Sequence, residues 1–448
     1  MHRLQPTQSV LDIARRLEAA GFEAWCVGGA IRDALLGGHP LDWDLATTAT
    51  PAQVIDIFGR RRTIPVGIEF GTVSVLDDDG IAHEITTFRR DVRTDGRHAE
   101  VEFGVSLDDG LARRDFTINA IAYRPATGEL RDPFGGRADL AAMLVRAVGD
   151  PEQRMREDRL RALRAIRFAS RYGFAIDPAT RVAIDRSAPE LNRLSAERVQ
   201  QELVKTMEQV DRPGRALRLW RESGALAVLL PALSALDDVA IATLDELPRE
   251  TKSRRAPQRT VNRLAALFLD VPAAQGRRAL LDLRLSRHQV NWVAALGAGW
   301  RGVGQDMRAT LMRGPSTDEQ VRRWIAGLGR LHAGPFLRVA SARWRAERAA
   351  GRDAPTDVAV RALHRRMRRS LYRDPIELAD LQVGGDDLRR LGIPAGPIYA
   401  KILHALLERV LEDPARNTPD ALLAEVPRIV AAAAGGEAGQ AVHPSTEQ

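Results

Sequence analysis

The chain has 448 residues, of which 44% are hydrophobic, so length and composition predict a globular protein of two or more domains. Lysine and arginine outnumber aspartate and glutamate by 66 to 59. This basic balance favours an anionic partner such as nucleic acid, although an arginine-rich proteome would give the same excess. A single cysteine, Cys26, excludes an intramolecular disulfide and a cysteine metal cluster, and we expect it to be buried. Without a long apolar run or an apolar leader, we expect no membrane span and a cytoplasmic location.

The amino-terminal part alternates predicted helices and strands. Apolar residues at helical spacing predict a helix over 10–20, and the run 24–27 predicts a short buried strand. A glycine turn leads into a second helix near 30–36, followed by a strand that carries Asp42 and Asp44. Further strands are predicted at 72–76 and 82–88, joined by a turn containing Asp-Gly, which is typical of a hairpin. Residues 1–143 are therefore predicted to form an α/β head with a mixed sheet.

The first motif pair concerns Asp42 and Asp44. In an extended strand, residues two apart point to the same face, so both carboxylates aim at one spot and repel each other unless a cation lies between them. Hard oxygen ligands suit Mg²⁺, which also takes substrate phosphates as ligands. Upstream, Gly28 and Gly29 provide a turn where backbone can approach phosphate, and Arg32 provides a fork of donors. The combination predicts metal-dependent phosphoryl or nucleotidyl transfer, whereas either motif alone is commonly just a solvated turn.

The rest of the chain has an almost wholly helical pattern. Long helices are predicted over 154–172, where Gly173 ends the pattern, and over 196–209 and 361–369. We divide this part into a neck at 144–212, a body at 213–350, a tail at 351–430 and a disordered terminus at 431–448, which is first Ala/Gly-rich and then polar.

Four motifs in order carry a family resemblance. Gly-Gly-Ala-Ile-Arg-Asp at 28–33, the Asp42/Asp44 pair, Arg-Arg-Asp-Phe-Thr-Ile-Asn-Ala at 113–120 and Glu-Asp-Arg-Leu-Arg at 157–161 follow one another at separations typical of the family. This series resembles the class II tRNA nucleotidyltransferase and bacterial poly(A) polymerase family, most strongly over about the first 210 residues. The resemblance implies a nucleotidyltransferase head that binds Mg²⁺ and a nucleoside triphosphate.

The resemblance also implies roles for single residues in the head. Glu84 would complete the carboxylate cluster or bind a ligand water; its alternative is an exposed strand glutamate. The turn at Gly28 and Gly29 would hold the triphosphate together with Arg32. These roles extend to the third motif, where Arg114 would contact the nucleotide and Asp115 the ribose hydroxyls. The alternative for that motif is a surface charge cluster, and Asp115 can also cap the turn that follows it.

Base selection is expected at Asp158 and Arg161, which would face the same way on a helix. A carboxylate accepts from an exocyclic amine and an arginine donates to ring acceptors, so the pair would accept cytosine and adenine and reject uracil and guanine. The family uses its Glu-Asp-x-x-Arg motif in this way. Arg164 and Arg167 continue the spacing and are expected to reach phosphate or hold this helix. If the motif stood alone, the alternative would be an ion pair between Asp158 and Arg161 on a solvated helix face, without a role in binding.

Three further expectations follow. The polar segment 91–98 matches a family loop that helps the switch from C to A addition, against the alternative of a plain surface loop. The stretch 267–270 lacks the histidine of a phosphohydrolase site, so we expect no second activity of that kind. The basic helix is expected to bind tRNA backbone, with a solvated charged helix as the alternative, through five arginines: Arg361, Arg365, Arg366, Arg368 and Arg369.

We therefore expect a CCA-adding activity that uses CTP and ATP to extend the 3′ end of tRNA and releases pyrophosphate. A poly(A) polymerase of the same fold is the first alternative. The segment 67–72, Gly-Ile-Glu-Phe-Gly-Thr, resembles the CCA-adding branch more closely. A catalytically silent RNA-binding protein is the second alternative, and the intact acidic and Asp-Arg motifs argue against it.

Overall fold

The computed structural model describes residues 4–65, 67–94, 99–247 and 256–438. It divides into two compact units, Met1–Ser234 and Ala235–Gln448. The first unit contains the predicted head and neck together with the first residues of the predicted body. The finer division at 143, 212 and 350 stays a prediction.

The first unit is built on a mixed seven-stranded sheet in the order β3-β4-β5-β2-β1-β8-β9, in which β2 and β5 are parallel. Two smaller pairs accompany it, the antiparallel β6 and β7 and the parallel β10 and β11. The strands are β1 Ala24–Val27, β2 Asp44–Thr47, β3 Thr63–Ile64, β4 Thr72–Leu76, β5 Ala82–Thr87, β6 Arg89–Thr94, β7 Ala99–Phe103, β8 Ala122–Arg124, β9 Glu129–Arg131, β10 Leu144–Val145 and β11 Ala175–Ile176.

Helices surround the sheet and continue beyond it. Apolar residues of α1 at helical spacing are buried, and α1 and α3 pack against β1 and β4. The helices of this unit are α1 Gln8–Ala19, α2 Gly29–Leu35, α3 Pro51–Phe58, α4 Leu107–Ala112, α5 Gly136–Ala141, α6 Pro151–Glu157, α7 Leu160–Tyr172, α8 Pro178–Ser187, α9 Ala196–Gln209, α10 Gly214–Glu222 and α11 Ala225–Leu229. The predicted helix at 10–20, the strand at 24–27 and the hairpin at 72–88 are confirmed.

One predicted helix is wrong in its continuity. The segment 154–172 is broken into α6 and α7 at Asp158, whose backbone is extended at φ −150° and ψ 104°. Its carboxylate accepts a hydrogen bond from the Leu160 backbone N–H at 3.0 Å, so the side chain caps the next helix instead of continuing the first. The predicted end at Gly173 is confirmed, because this glycine is left-handed at φ 74°.

The second unit consists of helices and the segments that connect them, with no strand among the residues that the structure describes in it. Its helices are α12 Asp238–Asp245, α13 Ala256–Leu267, α14 Ala273–Asp282, α15 Arg287–Arg301, α16 Val303–Arg313, α17 Asp318–Leu328, α18 Arg330–Ala349, α19 Asp357–Arg373, α20 Gly385–Arg390, α21 Pro397–Glu412 and α22 Pro419–Ala438. Within the described ranges, no helix is long and apolar enough to cross a membrane.

Two terminal or loop predictions also change. Residues 431–438, assigned from the sequence to a disordered terminus, continue α22, because their alanines favour helix; residues 439–448 lie outside the described part of the chain. Of the polar segment 91–98, residues 91–94 belong to β6, and 95–98 lie outside the described residues.

Candidate functional site

The turn before α2 brings backbone, acid and base together at Gly28. This glycine has φ +87°, a conformation that other residues rarely adopt. A Cβ atom placed on it would lie 3.0 Å from Nη1 of Arg114 and 3.4 Å from Oδ2 of Asp44. A side chain at this position would therefore push apart two of the residues that the sequence assigned to the site.

The carboxylate pair lies at the start of β2. The strand begins at Asp44, so the prediction that it also contains Asp42 is wrong, but the alternation of side chains continues through both residues. Asp42 is exposed and Asp44 half-buried, whereas Trp43 between them is buried and donates its indole N–H to the Pro40 carbonyl at 2.9 Å. Anchoring Trp43 on one side leaves both carboxylates on the other.

The electrostatics of this pair suit a bound cation. Burial raises the pKa of Asp44 to about 6, and the negative charges of Glu84 and Asp42 add to this effect against the opposing charge of Arg114. Glu84 itself is exposed on β5. The same surroundings raise the pKa of the buried Cys26 thiol to about 12, chiefly through burial and then through Asp44. A divalent cation would offset the repulsion that disfavours ionised Asp44.

The donor set fits a hard cation that keeps other ligands. All three acidic side chains offer only oxygen. Among the described residues, no group of three acidic, histidine or cysteine side chains is arranged to hold a metal by itself. Mg²⁺ typically binds one or two carboxylates and fills its remaining positions with water and substrate phosphates, so a pair of carboxylates is sufficient for it.

A cleft of about 510 Å³ lies beside Asp44 in the first unit. Eight of its lining residues are Arg or Lys and three are Asp, so it is strongly positive. The sequence-predicted residues that line it are Gly29, Arg32, Asp44, Arg114, Asp115, Asp158, Arg161, Arg164 and Arg167. Gly28 borders it through Arg114, while Asp42 and Glu84 lie outside its lining.

Arg114 brings an unused donor to this cleft. Its Nε is buried and has no hydrogen-bond partner among the residues that the structure describes. Burial lowers its pKa to about 10, and neighbouring Arg113 contributes in the same direction. An arginine that is charged, half-buried and incompletely paired is stabilised by an incoming anion, and phosphate matches its planar fork.

Asp115 occupies the centre of a hydrogen-bond network. One carboxylate oxygen accepts from the Phe116 N–H at 2.9 Å and from Asn119 Nδ2 at 2.8 Å, and the other pairs with Arg164 at 2.7 Å. Burial alone would raise its pKa, but Arg164 and Asn119 outweigh burial and hold the pKa below its usual range. Asp115 therefore stays ionised. The expected capping role is wrong, because Phe116 is the N-cap of the turn that follows and that turn has no side-chain cap.

Arg32 is more constrained than the sequence suggested. It is 4% exposed, donates from Nε to Asp33 at 2.8 Å and from Nη1 to Asn119, and lies about 5.0 Å from the ring centre of Phe168 and 4.9 Å from that of Tyr172. These contacts fix α2 against α7. An added Cβ on Gly29 would lie 3.2 Å from Arg32 Nη2, so this arginine supports the glycine turn from beneath.

Asp158 and Arg161 line the same cleft but not by sharing a helical face, which corrects the predicted geometry. Arg161 donates to the Glu157 carboxylate at 2.9 Å and to the Arg113 carbonyl at 3.1 Å. Asp158 accepts from Arg198 at 2.7 Å. Asp158 lies at the break between α6 and α7, and Arg161 lies in the first turn of α7. Each of the two side chains is held by a different neighbour. The bland alternative of an Asp158–Arg161 ion pair is therefore wrong as well, since Arg161 pairs with Glu157.

Arg167 holds helices together, one of the two roles expected for it. It is buried, pairs with buried Glu202 and donates to Gln209 at 3.2 Å, which ties α7 to α9. Sequence reasoning missed several lining residues. Phe168 and Arg171 could have been found, since they lie four and seven positions after Arg164 on one helical face. Asn119 lies within the third motif but received no role there. Two others gave no local signal because only tertiary packing brings them to the cleft: Lys205 and Gln209.

In the second unit, the structure divides the five arginines of α19 into two groups. Arg366 contacts Asp318 and the Ser316 carbonyl, and Arg369 contacts Asp318 at 3.2 Å. The other three arginines are exposed and have no ion pair within the described residues. They follow one stripe at spacings of four and three, which Tyr372, 83% exposed, extends: Arg361, Arg365 and Arg368.

Comparisons with known proteins identify the family of this chain. Residues 24–146 match the family model described as poly A polymerase head domain, and residues 173–236 match the model described as probable RNA and SrmB-binding site of polymerase A. A CCA-adding enzyme of Latilactobacillus sakei subsp. sakei (strain 23K) is 35% identical over 419 residues, covering 92% of this chain and 96% of the relative. A CCA-adding enzyme of Geobacillus kaustophilus (strain HTA426) is 34% identical over 425 residues, covering 94% and 96%.

Solved structures show the same similarity. The Bacillus stearothermophilus CCA-adding enzyme in complex with CTP superposes with a TM-score of 0.75 at 32% identity, covering 96% of this chain and 98% of that one. A Thermotoga maritima CCA-adding enzyme complexed with tRNA gives a TM-score of 0.65 at 21% identity, which supports the fold alone.

The carboxylate pair predicts a pH-dependent response to Mg²⁺. The folded pKa of Asp44, about 6, lies above its ordinary value of 3.8, so the free energy of unfolding of the metal-free protein should fall as pH rises between these values. Mg²⁺ should offset this loss, raising Tm by a few degrees at pH 8 and little at pH 5. Thermal melts with Mg²⁺ or EDTA measure the effect.

An Asp44→Asn variant should lose the Mg²⁺ response, and Asp12→Asn on α1 should keep it. An undiminished response in Asp44→Asn would contradict the assignment.

Proposed function

This chain belongs to the family of CCA-adding enzymes, and we propose that it performs the family's reaction with the carboxylates at the start of β2 and the adjoining arginine-lined cleft. It adds C, C and A to the 3′ end of tRNA from CTP and ATP, without a nucleic-acid template, and releases pyrophosphate. The observation that carries the residue assignment is the convergence of all four sequence motifs on one cleft. Cytoplasm is the compartment that we propose for it.

The family depends on a divalent cation, and we assign that cation as Mg²⁺ held by Asp42 and Asp44, with Glu84 as a further ligand or as a partner of a ligand water. The raised pKa of Asp44 supports this assignment. When bound, Mg²⁺ supplies a lower pKa for the attacking 3′-hydroxyl and neutralises charge on the leaving pyrophosphate. The two carboxylates fix where the reacting hydroxyl and the α-phosphate meet, which turns a bimolecular encounter into a positioned one.

The triphosphate is assigned to the glycine turn and Arg114. Gly28 and Gly29 let backbone approach the phosphates, and the half-buried Arg114 donates the Nε–H that has no protein acceptor in the described structure. Arg32 supports the turn rather than reaching outward, because its donors are engaged by Asp33 and Asn119. Asp115 has both oxygens in use, yet each carboxylate oxygen accepts more than one bond, so it can still accept from a ribose hydroxyl.

Base selection is assigned to Asp158 and Arg161. The carboxylate of Asp158 accepts from the exocyclic amine of cytosine or adenine, and Arg161 donates to the adjacent ring acceptor. Uracil and guanine reverse this order and would face Asp158 and Arg161 with the wrong hydrogen-bonding groups, a penalty that gives strong discrimination. Arg198 holds Asp158, and Glu157 holds Arg161. The arrangement of donor and acceptor that the base meets is therefore formed before the nucleotide binds.

The tail is assigned to tRNA through α19. Its stripe of exposed arginines carries the charge that a phosphate backbone attracts, and Tyr372 at the end of the stripe offers a ring for stacking. The alternatives make different products. A poly(A) polymerase would extend with A alone, and a silent RNA-binding protein would add nothing. Supplying tRNA that lacks its 3′ end with each labelled nucleotide, then sequencing the product, separates the three.

Removing either metal carboxylate should abolish transfer without unfolding the protein. Asp42→Ala and Asp44→Ala are expected to lower kcat by at least about a thousandfold, because positioning of the metal contributes several kcal/mol to transition-state stabilisation. Single-turnover addition of CMP measures the loss, and Tm checks the fold. Near wild-type turnover in either variant would remove the metal assignment.

Changing the base-selecting pair should relax nucleotide choice more than it slows chemistry. In Asp158→Ala and Arg161→Ala, kcat/KM for CTP and ATP should approach that for UTP and GTP, because the wrong base no longer leaves these groups unpaired. Competition between labelled nucleotides on one tRNA gives the ratios. If both variants still exclude UTP and GTP fully, the templating role is wrong.

Replacing the exposed stripe of α19 should weaken tRNA binding specifically. Arg361→Gln/Arg365→Gln/Arg368→Gln should raise the Kd for tRNA and flatten its salt dependence by close to one unit for each phosphate that the variant no longer neutralises. The matched control is Arg366→Gln/Arg369→Gln, whose arginines already pair with Asp318. Binding of free CTP should be unchanged in both. If both variants change the salt dependence of tRNA binding equally, α19 does not contact tRNA and is only a solvated charged helix.

A further inference from the structure

A row of residues runs across the sheet from Asp44 to its edge. β2 pairs with β5 from Leu45 opposite Ile85 onward, and one residue earlier this register places Asp44 beside Glu84. Glu84 pairs with Ser74 of β4, and Ser74 pairs with Ile64 of β3. Residues paired across neighbouring strands point to the same face, so all four share the face on which Asp44 lies. At about 4.8 Å between strands, the row extends roughly 14 Å from Asp44 to the edge strand.

This face is open and polar along β4 and β5. Glu84 and Ile64 are exposed and Ser74 is half-buried, whereas Val73, Val75 and Ile85, which alternate with them, are buried on the opposite face. Beside the row, the hydroxyls of Thr72 and Thr86 bond to each other at 3.1 Å and are half-buried. Hydroxyls and an exposed apolar side chain therefore border a path that begins at the metal carboxylates.

Three consecutive arginines lie at the far end of this path. They form the turn immediately before β3, at the same end of the sheet as Asp42. Arg62 pairs with Asp78 of the neighbouring hairpin. Arg60 and Arg61 are exposed, and neither guanidinium has an acceptor among the residues that the structure describes. Arg60 and Arg61, which have no carboxylate partner within the described ranges, therefore lie at the edge of the sheet where this row of residues ends.

We propose that the open face between Asp44 and β3 carries the single-stranded 3′ end of the tRNA, and that Arg60 and Arg61 bind its phosphates. The proposal rests on the proposed function and deepens it by giving the primer strand a course. The occupant follows from charge and continuity: the reacting hydroxyl must lie at the carboxylates, and the strand behind it needs cations and hydroxyl donors within a few nucleotides. Arg60 and Arg61 at the edge of the sheet supply the cations, and the hydroxyls between them and Asp44 supply the donors.

The first test is binding, which does not require turnover. Arg60→Gln/Arg61→Gln should weaken tRNA binding roughly threefold to tenfold and lower the salt slope by close to one unit for each phosphate left without its arginine, while the Kd for CTP stays unchanged. Ser74→Asp places a negative charge on the path and should weaken tRNA binding in the same way. The control is Arg15→Gln on α1, where the arginine is 63% exposed and pairs with Asp12. An unchanged tRNA Kd and salt slope in Arg60→Gln/Arg61→Gln would overturn the proposal.

The second test places the contact on the RNA. Single methylphosphonates are introduced in turn at the 3′-terminal phosphates, which removes one negative charge at a time. In the wild type, at least one substitution near the 3′ end should weaken binding, and Arg60→Gln/Arg61→Gln should be insensitive to that same substitution. Equal sensitivity of both proteins at every terminal phosphate would sink the proposal. Failure of the wild type to add C and A would instead remove the proposed function, which the binding data do not decide.

Discussion

Asp44 and Arg114 both lie against Gly28, and the remainder of the site is arranged around that glycine. Burial and the charges of Glu84 and Asp42 disfavour the ionised form of Asp44. The buried Nε of Arg114 has no acceptor among the described residues. Neither group is at its most stable until a cation and an anion arrive. A metal-bound triphosphate brings both charges at once, so the folded site already favours the pair of ligands that the reaction requires.

The arginines of the cleft differ by what already occupies them. Arg32 and Arg167 are buried and paired, and they hold helices in place. Arg164 keeps Asp115 ionised. Arg161 presents a fixed edge because Glu157 and a backbone carbonyl brace it. Arg114, in contrast, combines burial with an unused donor. The positive charge of the cleft therefore divides into a scaffold and a ligand contact, a division that composition could not provide.

The same distinction applies to the surfaces assigned to RNA. On α19, Asp318 neutralises Arg366 and Arg369 and leaves the stripe that includes Arg361 available. At the edge of the sheet, Asp78 neutralises Arg62 and leaves Arg60 and its neighbour available. Surface arginines with a carboxylate partner gain little from a phosphate, because the exchange of one anion for another is nearly neutral. Binding strength should therefore follow the arginines that have no protein acceptor.

The sequence by itself determined the family, the order of the motifs and most of the local structure. The period of apolar residues fixed α1 and the β4–β5 hairpin, because burying one face imposes that period, and the Asp-x-Asp alternation fixed two carboxylates on one side. Tertiary structure decided the rest. Asp158 lies at a helix break because its own carboxylate caps α7, an outcome that competes with a continuous helix and is not visible in periodicity. Lys205 and Gln209 reach the cleft because α9 packs on α7, and Arg32 is engaged because Asn119, 87 residues away in the chain, accepts a hydrogen bond from it. Local patterns specify which groups are present; only packing between distant segments decides which of them remain unpaired, and that difference separates a binding residue from a structural one.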